Sequence, residues 1–158
     1  DERRCEQPRR HTAPARRAGD TDVARPGQVV VHDVACAGVP SDIGARLVAC
    51  WSQEGGTARY LSQTGLRVPI VAYSNDLRQL RRMSLLRGVT ARLMPVPTSG
   101  KLADWNLAVE KDLLALGWVR AGDPIVLLAG KPLGKKGATN TLAVHYIGNP
   151  ALGFLGDC

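Results

Sequence analysis

From Ala45 onward the chain repeats one unit: a short apolar run, a turn built on Gly or Asn-Asp, and an amphipathic segment. The first unit joins ARLVACW (Ala45 to Trp51) through SQEGG to TARYLSQTG, which Gly65 stops. In the second, VPIVAYS (Val68 to Ser74) leads through an Asn75-Asp76 cap into LRQLRRMSLLRG, whose Leu and Met positions share one helical face. A third strand, GVTARLMPV, passes through the loop PTSGKLADW to the helix WNLAVEKDLLALGWV, and two further strands follow, PIVLLAG and NTLAVHYIG. Repeated βα units need long crossovers, so they predict a mostly parallel sheet with helices on both faces. The last two strands are joined by about ten residues without a helix, which predicts an antiparallel final strand at an edge.

Upstream of this pattern the texture changes. Residues 1–28 hold many Arg, three Pro and few aliphatics, too little apolar surface to offset ordering entropy, and read as a disordered or loosely attached arm. Residues 29–150 form the expected domain and 151–158 a tail. At the domain's start, VVVHDVACAGVPSDIG carries a helical pattern that Pro40 should end or kink.

Aromatic residues make up only 4%, so aliphatic side chains must supply the core. The net charge of +7 is spread along the chain, with no aromatic-studded basic stripe, and points away from specific nucleic-acid recognition. No apolar run is long enough for a bilayer span, and a cytoplasmic protein without membrane partners is expected. Cys5, Cys36, Cys50 and Cys158 lack metal-ligand spacing and read as reduced structural thiols. His11, His32 and His145 form no cluster for metal or nucleophilic chemistry. Trp51, Trp105 and Trp118 read as packing residues.

Five collinear segments carry a resemblance: SQEGGTAR (Ser52 to Arg59), VPIVA (Val68 to Ala72), LLRGV (Leu85 to Val89), AGDPIVLLAG (Ala121 to Gly130) and GKPLGKKGATNT (Gly130 to Thr141). Together they resemble the C-terminal α/β domain of pyruvate kinase, over roughly residues 30–148. The resemblance implies a three-layer α/β/α fold with a five-stranded mixed, mostly parallel sheet whose last strand is antiparallel. It also implies a regulatory module that binds a phosphorylated small-molecule effector and supports a homo-oligomer. Catalysis, with the family's Mg and K sites, belongs to a barrel whose signature segments do not occur in these 158 residues, so no cofactor and no activity are expected from this chain alone. Two alternatives stay open: a fragment or subunit of an active pyruvate kinase, and a stand-alone flavin- or nucleotide-binding domain.

Two segments carry the candidate effector chemistry. In the turn after the first strand, Ser52, Gln53, Gly55, Gly56 and Thr57 offer hydroxyls and backbone N–H groups at a helix start, where orphan donors and the dipole favour an anion. Glu54 stands where the family usually has Ser or Thr, and its carboxylate opposes a phosphate. The loop Gly130 to Asn140 offers Lys131, Gly134, Lys135, Lys136 and Gly137, with the lysines as flexible point charges; the resemblance places it over the effector site and Trp105 beside it. The alternative for each segment is plainly structural: a tight βα turn and a solvated basic loop.

Overall fold

The structure is a computed structural model and describes residues 38–131, 133–134 and 139–149. The arm, the tail, and three of the four cysteines lie outside the described residues, as do His11 and His32. The first described element is a short helix, α1 (Val39–Asp42), followed by β1 (Val48–Trp51), α2 (Gly56–Gln63), β2 (Ile70–Ser74) and α3 (Leu77–Met83). Then come β3 (Val89–Leu93), α4 (Leu102–Ala115), β4 (Pro124–Ala129) and β5 (Thr141–Tyr146). Pro40 is the second residue of α1, and the helical pattern expected before it lies outside the described residues. Its ring costs nothing there, because a first-turn N–H has no intrahelical acceptor.

The sheet order is β3-β2-β1-β4-β5, parallel throughout except for the antiparallel β4–β5 pair. The expected five-stranded mixed sheet with an antiparallel edge is therefore the fold. Chain order runs outward from β1 through β2 to β3, then returns across the sheet to β4. That reversal puts α2 and α3 on one face and α4 on the other, as right-handed crossovers require. The core divides the same way. Ala58, Leu61, Leu80 and Met83 pack on Val48, Cys50, Ala72, Val126 and Leu128. On the opposite face, Trp105, Val109 and Leu113 of α4 pack on Ala49, Trp51, Val71, Tyr73, Ile125 and Leu127. Both faces of β1, β2 and β4 are covered, which is why these strands are apolar runs without polar alternation.

The Asn75-Asp76 cap takes the expected form: Asp76 Oδ1 accepts from the Arg78 N–H at 2.8 Å. α3 is shorter than its pattern suggests. It stops at Met83 with Ser84 as C-cap, and Leu85 is 87% exposed. A seven-residue helix can bury only one stripe, here Leu80 and Met83, so Leu77 is also exposed.

Two polar ties fasten α4 to the sheet. Asp112 accepts from the Tyr73 hydroxyl at 3.0 Å and from Arg92 in a two-pronged contact, Nε at 2.9 Å and Nη2 at 2.5 Å. Burial and then the Asp112 carboxylate push the Tyr73 phenol well above its ordinary value, and the hydrogen bond to Asp112 raises Arg92 further. In the second tie the fully buried His145 stands between Asn106 and Glu110 of α4. With the Asn106 amide donating at 3.3 Å to Nδ1, the Nε2–H faces Glu110.

Candidate functional site

The reversal of strand order falls between β1 and β4, which are adjacent and parallel, so the segments leaving their carboxyl ends diverge around a common crevice. Those segments are the turn Ser52 to Thr57 and the loop beginning at Gly130, the two that the sequence singles out. Among the described residues a hydroxyl pair joins them: Thr57 Oγ1 and Thr139 Oγ1 are 2.6 Å apart, and both side chains are buried. Asn140 closes the neck of the loop, accepting from the Lys131 N–H at 2.8 Å and donating to the Lys131 carbonyl at 3.3 Å.

Within the turn, Ser52 N–H continues the sheet by donating to the Tyr73 carbonyl at 2.9 Å, which holds the residue 2% exposed. Its hydroxyl faces inward, accepting at 3.5 Å from the Ala58 N–H. Gln53 Nε2 donates to Asn75 Oδ1 at 2.8 Å and so ties the turn to the next β–α junction. Gly55 has φ of 79°, the left-handed region where a Cβ is disfavoured, and α2 begins immediately after it. The Gly56 and Thr57 N–H groups at the helix start have no hydrogen-bond acceptor among the described residues. Among the described residues these backbone donors thus have no acceptor, whereas the Ser52 and Thr57 hydroxyls are engaged within the protein.

In the second segment Lys131 is exposed, and Gly134 has φ of 81°, where a Cβ would come within 3.4 Å of Val96 Cγ2. Lys135, Lys136 and Gly137 lie outside the described residues. Trp105 is fully buried, edge-on to Trp51 at 6.4 Å and to Tyr73 at 6.3 Å between ring centroids, so it packs the α4 face as a core residue. Cys50 is buried, and its thiol is pushed up to about 12 by burial, far from the thiolate a nucleophile needs. Among the described residues no group of three or more His, Cys, Asp and Glu could hold a metal ion, and no helix is long and apolar enough to cross a membrane.

Three residues near the turn escaped the sequence reading. Arg59, Gln79 and Arg82 line a hollow of about 340 Å³ with Glu54, Gly55, Gly56, Met83 and Leu86, on the α3 side of the turn. The arginine-rich run of α3 was the available signal, and its period reports a solvated face without reporting that the face adjoins a glycine turn.

Fold and crevice define an open, doubly wound α/β domain, a class whose ligands gather at the carboxyl ends of the strands. Comparison with known proteins narrows this. The family model described as pyruvate kinase, alpha/beta domain, matches residues 33–145, and the chain belongs to that family. Pyruvate kinase of Mycobacterium intracellulare is 33% identical over 111 residues, which cover 68% of this chain and 23% of that enzyme. That of Lactococcus lactis is 32% identical over 120 residues, 76% of this chain and 23% of the enzyme. That of Agrobacterium vitis is 31% identical over 140 residues, 87% and 28%. The chain thus spans about a quarter of the length of these relatives.

Proposed function

We propose that this chain is a regulatory module which binds a phosphorylated small molecule in the crevice between the Ser52 to Thr57 turn and the Gly130 to Asn140 loop. The observation that carries the reading is the junction at the strand-order reversal, where Thr57 and Thr139 meet beside the Gly56 and Thr57 N–H groups, which have no acceptor among the described residues. Helix-start donors suit a phosphate, and the lysines of the loop would add charge. In this reading the backbone provides the grip, and the Thr57 hydroxyl positions the loop. Glu54 opposes the ligand.

Calorimetric titration of the intact chain with a sugar bisphosphate tests the proposal. Saturable binding is expected, weakened in Lys135→Ala/Lys136→Ala and strengthened in Glu54→Ser. If neither wild type nor Glu54→Ser binds at millimolar ligand, the turn is only a turn.

Subunit assembly is the second part of the proposal. Among the described residues β5 pairs only with β4, so a second copy pairing along Thr141–Tyr146 would satisfy its other edge. A monomer by light scattering at high concentration overturns it. A companion reading rests on membership of the pyruvate kinase family: the chain is a fragment or subunit of an active pyruvate kinase and has no transfer activity by itself. Pyruvate formation from phosphoenolpyruvate and ADP by this chain alone, persisting through purification, would overturn that.

A further inference from the structure

The solvent face of α3 carries a pattern that the effector crevice does not use. At about 100° per residue, Leu77, Arg78, Arg81, Arg82 and Leu85, one residue past the C-cap, fall on one side of the helix, opposite the buried Leu80 and Met83. All five are exposed, Leu77 at 57% and Leu85 at 87%. Residues 77–87 hold four Arg and no acid. Among the described residues none of Arg78, Arg81, Arg82 and Arg87 is in an ion pair. The nearest carboxylate in sequence, Asp76, is turned to the Arg78 backbone N–H as the helix cap.

This arrangement works against the helix standing alone. Arg78 lies in the first turn, where the dipole disfavours a cation, and it repels Arg81 and Arg82, three and four residues on. A seven-residue helix has little stability of its own, and a merely solvated face would gain from mixed signs. Two exposed leucines bracket the cations and find no cover among the described residues. An anionic partner with apolar side chains removes both defects at once.

We infer that this face docks an acidic segment of another protein, one in which carboxylates alternate with apolar side chains. Charge complementarity sets the sign, since guanidiniums grip carboxylates in two-pronged pairs. The leucines decide among polyanions. A nucleic-acid backbone offers Leu77 and Leu85 only phosphate and sugar, and this face has no aromatic platform on which bases stack. Two leucines insert far less apolar surface into a bilayer than one acyl chain, itself a marginal anchor. A second copy of this chain is a poor match, because Asp104, Glu110, Asp112 and Asp123 each accept a hydrogen bond within the chain. The occupant is therefore a separate acidic protein, and its surface is distinct from the effector crevice.

Fluorescence anisotropy of a labelled Glu-Glu-Leu repeat peptide, titrated with the intact chain at low ionic strength, tests the inference. Saturable binding is expected, weakening as salt is raised. Arg78→Ala/Arg81→Ala should weaken it about tenfold, Leu85→Ser about tenfold, and a Glu-Glu-Ser repeat peptide should lose a similar factor on the wild-type chain. The arginine variant should melt no lower than wild type, because it removes like-charge repulsion from the helix. No saturable binding at millimolar peptide, undiminished affinity in either variant, or equal affinity for the Glu-Glu-Ser peptide overturns the inference. Tighter binding of oligothymidylate or of phosphatidylserine vesicles than of the Glu-Glu-Leu peptide also overturns it and assigns the face to nucleic acid or to membrane. A lower melting temperature in the arginine variant does so too, since the arginines would then serve the fold.

Discussion

His145 Nε2 on the edge strand lies 2.5 Å from Glu110 Oε2 on α4, and the other oxygen of the same carboxylate accepts from the Gly148 N–H at 3.1 Å. One side chain therefore holds both β5 and the turn that leaves it.

Replacing His145 by Ala should cost about 1–3 kcal/mol of unfolding free energy, because Asn106 and Glu110 lose a partner in a site with little access to water. Urea denaturation measures it. Glu110→Ala should in addition speed hydrogen exchange at Gly148, and unchanged protection there would show that the carboxylate is not what fixes the turn.

Thr57→Val and Thr139→Val should each destabilise the domain, and the double variant should lose less than their sum. A coupling of about 0.5–1.5 kcal/mol is expected for a buried hydroxyl pair 2.6 Å apart. Strict additivity in a double-mutant cycle would mean that the contact contributes nothing to holding the loop against the turn.

Gly55→Ala should lower stability by about 1–2 kcal/mol, the cost of forcing a side chain into the left-handed region at φ of 79°. The Met83 contact adds little to this, since 3.4 Å is an ordinary approach. Thermal melting is the measurement, with a fall of several degrees expected. Gly56→Ala has open space around it and should change stability much less.

Alkaline pH should unfold the protein partly through Cys50. Its folded value of about 12 lies above the ordinary 9.0, so its contribution is complete below pH 9 and is lost as pH climbs toward 12. The loss approaches about 1.4 kcal/mol per pH unit for one proton. Tyr73, also raised, acts in the same direction at higher pH. Cys50→Ala should flatten the stability profile from pH 9 upward, and a profile parallel to wild type would assign the alkaline loss to other groups.

Legibility from sequence followed periodicity. The strands around Val71 and Leu127 and the cap at Asp76 were readable because apolar runs and capping residues report local geometry. The end of α3 was not, since Leu85 and Leu86 continue its apolar texture past Ser84 while the backbone has already turned. The mixed sheet with its antiparallel last strand is legible from the resemblance together with the length of the β4–β5 connection, whereas the strand order β3-β2-β1-β4-β5 is not. Pairings such as Thr57–Thr139, His145–Glu110 and Arg92–Asp112 join positions 82, 35 and 20 residues apart. A pattern of period 2 or 3.6 says which face a residue takes and nothing about its partner across the fold. The turn at Ser52 to Thr57 was located correctly, yet the direction of its hydroxyls depends on Thr139 and on the backbone of Ala58, neither of which the turn itself encodes.

On the ribosome β1, β2 and β3 emerge before β4, although β1 is paired in the finished sheet to β4 on one side and β2 on the other. At about 5–20 residues per second, roughly 4–15 s pass between the synthesis of Trp51 and that of Pro124. Throughout that interval the nascent chain carries an apolar strand, Val48–Trp51, with an open hydrogen-bonding edge that no later element has yet covered. Newly made copies translated in close succession on one message are then each other's nearest complementary edges, and the yield of this domain depends on β4 arriving before a neighbour does.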